Sequence, residues 1–431
     1  MEIKRDLYLD RLKKAKGNRL IKVITGIRRC GKSYLMNTLF YNSLMEEGIE
    51  ESKVIRFAFD SADDLKLIGE NLMSLRRTNR KVNPEKFISY IDSRIDGKDT
   101  HYLLLDEIQL LGNFEAVLNG YLRKNNLDIY VTGSNARFLS KDVITEFAGR
   151  GFEIHLSPLS FSEFMQVYDG DKYEGLARYM LYGGLPLVVL NPDEESKIKL
   201  LDSLFDEIYI KDIVKRNKLR NQSDLEDLLQ FLSSSIGLLT NPDKLRNTFR
   251  SVKKSDITSN TIRKYISYIE DAFIIRESER YDIRGKAYIN SNVKYYFSDT
   301  GLRNARISFR QFEETHLMEN VIYNELVCRG YNVDVGIVPV SEKNSDGSSI
   351  RKQLEVDFVC NRGSSRIYIQ SALTIPDESK RVQETRPFSK IKDSFPKVII
   401  TKDIVPMLRD ENGVITINIY DFLLNPELLP S

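Results

Sequence analysis

A chain of 431 residues that is 41% hydrophobic and 29% charged has room for two or three domains, and its formal net charge of +2 singles out no partner class. No apolar run approaches the roughly 18–20 residues needed to span a bilayer, and the charged N-terminal stretch lacks the apolar centre of a secretory signal. Three scattered cysteines and three scattered histidines match no metal spacing, so the expectation is a cytoplasmic protein without a membrane partner.

In chain order, the first element is a short β-branched run at 21–25. Further strand candidates follow at 53–59, 101–105, 128–132 and 152–156, with helical patterns at 64–76 and 84–95 between them. Such alternation predicts a parallel sheet with helices on both faces over residues 1–160. Residues 161–240 read as a helical lid or linker, broken at 183–186. Residues 241–310 read as helices followed by a hairpin, the order of a winged helix-turn-helix. Residues 311–431 return to a mixed α/β pattern, interrupted by a polar loop at 341–352. The predicted fold class is α/β, with those four segments as its domains.

Residues 26–33 read Gly26-Ile27-Arg28-Arg29-Cys30-Gly31-Lys32-Ser33, and Tyr34 continues into the next helix. This is GxxxxGKS between a strand and a helix, the setting of a phosphate-binding loop. Glycines let the backbone curl its N–H groups toward a phosphate, and the helix N-terminus adds partial positive charge. Lys32 would reach the β/γ-phosphates of ATP and Ser33 would coordinate Mg²⁺. Arg28 and Arg29 would either assist the phosphates or stay in solvent.

Four apolar residues then end in Asp106-Glu107, the pattern of a Walker B strand. Asp106 would hold Mg²⁺ directly or through water, and Glu107 would act as general base on the attacking water. At the end of the next strand, Ser134, with Asn135 second, would sense the γ-phosphate or position the attacking water. Arg150 would stabilise transition-state charge, either in its own chain or in a neighbouring subunit.

GIRRCGKS, YLLLDEIQ, YVTGSNARFLS, FAGRGFEIHLSPLSFSEF and YGGLP occur in this order. Together they resemble the prokaryotic AAA-type ATPases that carry a C-terminal domain of unknown function, over nearly the whole chain. The Gly183-Gly184-Leu185-Pro186 element is similar to the GLP motif of STAND-like NTPases. That resemblance implies that Pro186 packs near the nucleotide base and couples it to the following helices. It also implies an AAA-type ring or a resting monomer, so a homo-oligomer is one expectation. From the residues alone, the element is a helix-breaking turn.

Between 244 and 310 there are 15 Lys/Arg against 7 Asp/Glu, a basic middle hidden by the chain-wide balance. It raises double-stranded DNA as a candidate partner, beside an unknown protein partner. The tail resembles the restriction-endonuclease-like PD-(D/E)xK fold, with Asp357 at the first acidic position. Gln370 stands where the second carboxylate belongs and Ala372 where the lysine belongs, so the expectation is a degenerate, non-cutting domain. The primary expectation is an Mg²⁺-dependent ATPase switch that regulates DNA or protein binding. The alternatives are an ATP-gated DNA nuclease and a non-hydrolysing nucleotide-sensing scaffold.

Overall fold

The computed structural model describes residues 2–97, 99–133, 147, 149–219, 221–343 and 349–430. They form two compact units, residues 1–158 with 271–273, and residues 159–270 with 274–431. Among the described residues no helix is long and apolar enough to cross a membrane.

The first unit is built on five parallel strands: β1 (Ile21–Thr25), β2 (Val54–Ala58), β3 (His101–Asp106), β4 (Leu127–Thr132) and β5 (Gly151–His155). Their order across the sheet is β2-β3-β4-β1-β5. β1 and β3 are buried along their whole length, as strands covered on both faces must be. Each strand falls within a residue of the run that predicts it. The helix expected over 64–76 is instead two helices, Ala62–Leu67 and Leu72–Thr78. Gly69, at φ +65°, follows the end of the first, and the Asn71 side chain caps the second by accepting the Ser74 N–H. Helix Pro84–Arg94 starts with proline at its first position and Asn83 as its cap.

The second unit opens with helices and ends in an eight-stranded mixed sheet. Its strands are β6 (Ile275–Asp282), β7 (Ala287–Phe297), β8 (Asn332–Lys343), β9 (Ser349–Arg362), β10 (Ser365–Ala372), β11 (Lys397–Thr401), β12 (Leu408–Arg409) and β13 (Ile415–Asn418). The order is β12-β13-β11-β10-β9-β8-β6-β7. β6 pairs in parallel with β8 at Arg280↔Val335 through Asp282↔Ile337. The hairpin that sequence reasoning takes for a wing is therefore continuous with the C-terminal sheet. Its parallel partner lies some 55 residues on, a pairing no local pattern announces. Helix Glu314–Cys328 packs on this sheet through Leu317, Met318, Val321 and Ile322, against Phe358, Ile367 and Ile369.

A tight joint fixes the Gly183-Gly184 element within this unit. The Asp299 carboxylate caps helix Thr300–Arg306 by accepting the Leu302 N–H at 3.0 Å, and it accepts the Gly184 N–H at 2.7 Å. Gly183 has φ +76°, and a Cβ there would lie 2.1 Å from Asp299 Oδ1. Leu185 and Pro186 then start the short helix Pro186–Val189.

Candidate phosphate-binding site

β1 ends at Thr25 and the chain turns at Gly26, with φ +141°. A Cβ there would lie 2.1 Å from the Leu156 carbonyl oxygen, so the turn requires glycine. The helix that follows runs through Lys32–Tyr34, a π-wound stretch Leu35–Phe40, and Tyr41–Glu46. Its first N–H groups close the loop, where the helix dipole favours an anion. Ile27 and Cys30 face the core, whereas Arg28, Arg29, Ser33 and Tyr34 are exposed. Lys32 is buried, and its ammonium donates to the carbonyl oxygens of Gly26 (2.9 Å) and Ile27 (3.1 Å). An ammonium has three donors, so one remains for a phosphate oxygen.

β3 lies two strands from β1 and brings Asp106 to the same sheet edge. Asp106 is buried; it accepts the Thr132 hydroxyl and, at 3.4 Å, the Asn37 amide. Burial raises its pKa above the ordinary range, against the opposing pull of the nearby Thr132 and Ser33 hydroxyls. Asn37 Oδ1 is buried without a hydrogen-bond partner.

Glu107 leaves the strand with φ +52°, a strained left-handed conformation for a residue with a Cβ. Its N–H donates to Thr132 Oγ1 at 3.3 Å, and its carboxylate accepts the Gln109 amide. Asp60 stands nearby at the surface. Partial desolvation and then the Glu107 carboxylate raise its pKa, against the pull of Arg76 and Arg28.

The structure thus brings Lys32, Ser33, Asp106 and Glu107 to one edge of one sheet. Arg150 is elsewhere. Its carbonyl accepts the Ile21 N–H at 2.9 Å, where β1 and β5 begin. The five residues of β1 separate it from the loop by about 16 Å, more than an arginine side chain spans. This corrects the expectation of an arginine acting on a nucleotide in its own chain. Ser134 and Asn135 lie outside the described residues, and Pro186 belongs to the other unit.

Sequence reasoning misses Thr132, Asn37, Asp60 and Arg5. Thr132 is the last residue of β4, beside the strand that carries Asp106. Asn37 follows Ser33 by four positions, which puts both on one side of the helix. Arg5 is buried and holds the loop from behind. It donates to the carbonyl oxygens of Cys30 (3.3 Å), Ser157 (2.8 Å) and Pro158 (3.5 Å), and its guanidinium stacks 4.8 Å from the Tyr8 ring centre.

Residues 18–165 match the model of an AAA domain, and residues 173–313 match that of a domain of unknown function (DUF8612). An uncharacterized protein of Haemophilus influenzae is 32% identical over 428 residues, spanning 98% of this chain and 98% of that protein. An uncharacterized protein of Methanocaldococcus jannaschii is 26% identical over 392 residues, spanning 86% of this chain and 79% of that protein. Among solved structures, the Aeropyrum pernix ORC2 protein in ADPNP–ADP complexes is similar at 13% identity. It covers 74% of this chain and 92% of its own, with a TM-score of 0.37. The Aeropyrum pernix ORC1 protein in complex with DNA covers 72% and 93% at 13% identity, with a TM-score of 0.28. The chain belongs to the same family as the Haemophilus influenzae protein, with an AAA-type P-loop domain ahead of a domain of unknown function.

Proposed function

We propose that this protein binds ATP with Mg²⁺ at the Gly26–Ser33 loop and hydrolyses it, and that turnover drives a switch regulating DNA or protein binding. One observation carries the reading: the Lys32 loop, with Ser33 beside it, the Asp106 carboxylate that accepts the Asn37 amide of the following helix, and Glu107 meet at one sheet edge. The oxygens present suit magnesium. Ser33 and Asp106 are hard donors, and Asn37 Oδ1 is a buried acceptor without a partner beside them. Ser33 and Asp106 would hold the ion, which supplies charge neutralisation on the phosphates. Lys32 holds the β/γ-phosphates and Glu107 takes the proton of the attacking water. Pro186 would couple the nucleotide to the helices of the second unit, and Arg150 would act on the nucleotide of a neighbouring copy. The test is steady-state ATP hydrolysis with and without Mg²⁺. Turnover that needs Mg²⁺ and disappears in Lys32→Ala supports the reading. Tight ATP binding without turnover would leave a nucleotide-sensing scaffold.

Arg5 extends this reading to the loop's support. Arg5→Ala is expected to weaken ADP binding about tenfold, because a charge-assisted hydrogen bond to the loop contributes on the order of 1.5–3 kcal/mol. Arg5→Lys should recover part of that affinity. Titration calorimetry checks both; unchanged ADP affinity with a lowered Tm would make Arg5 a structural staple only.

The basic helices favour duplex DNA over a protein as the regulated partner. Lys244, Arg246, Arg250, Lys253, Arg263 and Lys264 are all exposed on helices Pro242–Thr248 and Ser259–Asp271 and the π-wound turn Phe249–Lys253, and Lys254 is exposed just after that turn. The cleft between Ser259–Asp271 and the β6–β7 hairpin is different. It encloses 340 Å³, and in its lining Glu270, Glu277 and Glu279 outnumber Arg263, so it would repel phosphates. DNA would therefore meet the outer face of the helices. The double variant Arg250→Glu, Lys254→Glu is expected to reduce the slope of log affinity against log salt by about 2, measured by anisotropy on a labelled duplex. An unchanged slope would remove this surface from the reading.

A further inference from the structure

A second cluster of charged side chains lies inside the C-terminal sheet. Glu319 comes from helix Glu314–Cys328, Glu355 and Asp357 from β9, and Lys294 from β7. Lys294 is only 3% exposed, yet its ammonium lies 2.8 Å from Glu319 Oε1 and 2.8 Å from Glu355 Oε1. The Tyr296 hydroxyl donates to the same Glu319 oxygen at 2.6 Å, and His316 Nδ1 is 4.0 Å from the other. Asp357 Oδ2 accepts only a backbone bond, from the Ser371 N–H at 2.8 Å. Gln370 pairs beside it on β10, and its side-chain oxygen accepts the Asp357 N–H at 3.4 Å. Ala372 is buried and adds no polar group.

Glu319 and Asp357 are buried and Glu355 is partly exposed; carboxylates gathered this closely require a cation. Here the cation is part of the chain. A divalent ion held by Glu319 Oε1 and Glu355 Oε1 at about 2.1 Å would need the space that Lys294 Nζ occupies. Two cations side by side in so dry a place repel strongly. Burial alone would lower the Lys294 pKa; Glu319, Asp357 and Glu355 outweigh it and raise the pKa, so the ammonium keeps its proton. Burial would raise the Glu319 pKa, but Lys294 holds it low. Asp357, facing burial and the Glu319 charge, is pushed well up, which favours its neutral form. Among the described residues, no group of three or more His, Cys, Asp or Glu is placed to hold a metal ion.

We propose that Lys294 is the resident cation of this carboxylate centre. Its ammonium takes the place of a divalent metal ion, so the C-terminal sheet is a non-cleaving platform, and the centre binds a divalent cation only when Lys294 is removed.

The experiment uses the full chain carrying Asp106→Asn, without nucleotide, so that the P-loop edge does not contribute. Thermal unfolding is followed with and without millimolar Mn²⁺, and plasmid nicking is assayed under the same conditions. With Lys294 intact, Mn²⁺ should leave Tm unmoved and the plasmid uncut. Lys294→Met leaves buried carboxylates unpaired, so its Tm should fall, and Mn²⁺ should restore about 5 °C or more. If that variant folds only when Mn²⁺ is added, the result is the same. Lys294→Gln, which keeps a polar contact, should show a smaller loss and the same Mn²⁺ response. The proposal is overturned if Mn²⁺ raises Tm with Lys294 in place and Asp357→Asn abolishes the rise. Nicking that Asp357→Asn abolishes would overturn it too, as would a failure of both Lys294 variants to respond to Mn²⁺.

Discussion

Glu107→Gln is expected to lower steady-state ATP turnover by at least about 100-fold while leaving ATP bound. The reasoning starts from the backbone. Glu107 adopts φ +52°, and the neighbouring Thr132 hydroxyl accepts its N–H at 3.3 Å. A left-handed residue with a Cβ costs on the order of 1–3 kcal/mol, and the fold holds this one by tying it to the end of β4. Glutamine keeps the size, the backbone preference and an acceptor for Gln109, but it cannot take a proton. Loss of turnover with retained affinity therefore isolates the base. Asp60→Asn is the control, since it removes a neighbouring negative charge and no base; it should change turnover less than tenfold. Rapid-quench single-turnover assays beside equilibrium binding would separate the two steps. Full turnover in Glu107→Gln would sink the assignment and move the search to Asp60.

The five strands of the first sheet were legible because each is a short apolar, β-branched run ending near a turn, and because GxxxxGKS sits between a strand and a helix. The place of Asp106 and Glu107 was legible for the same reason: a buried strand ending in that pair has only one edge to deliver them to. Thr132 was not legible, because its role depends on β3 and β4 being neighbours, with Leu105 opposite Val131. Strand order is a tertiary fact that no local pattern encodes. Arg5 was hidden more deeply, reaching Cys30 across 25 residues and Ser157 across 152. The same limit explains the tail. Asp357, Gln370 and Ala372 were singled out by a resemblance to the PD-(D/E)xK order of elements. Lys294 could not, since its two carboxylate partners stand on a helix and a strand that follow it in the chain. Arg150 shows the converse error. It was read as an arginine that could act near the γ-phosphate of its own chain, but a parallel β5 puts the strand's first residues at the far edge.

Asp299→Ala is expected to destabilise the second unit by about 2–5 kcal/mol, a large part of what a domain of this size has. The substitution leaves the buried N–H groups of Gly184 and Leu302 without an acceptor, at on the order of 1–3 kcal/mol each. It also opens a void beside Gly183, where a Cβ would lie 2.1 Å from the Asp299 carboxylate. The carboxyl gives a sharper test through pH. Burial drives its pKa up to about 6, against the four backbone N–H groups of Gly184, Leu302, Gly301 and Leu185 that favour the charged form. The unfolded carboxyl titrates near 3.8. Between those values the folded state binds the extra proton, so the contribution of Asp299 to stability is complete below pH 4. It is lost as pH rises through 6, by on the order of 3 kcal/mol. Asp299→Asn removes this titration and keeps one acceptor. The difference in Tm between the wild type and Asp299→Asn should therefore shrink as pH is raised from 4.5 to 7, while the other titrating groups cancel. A difference that stays constant across that range would mean Asp299 is charged throughout, with its N–H donors outweighing burial. The joint that shapes the Gly183–Pro186 turn would then be ionic at every pH at which the protein works.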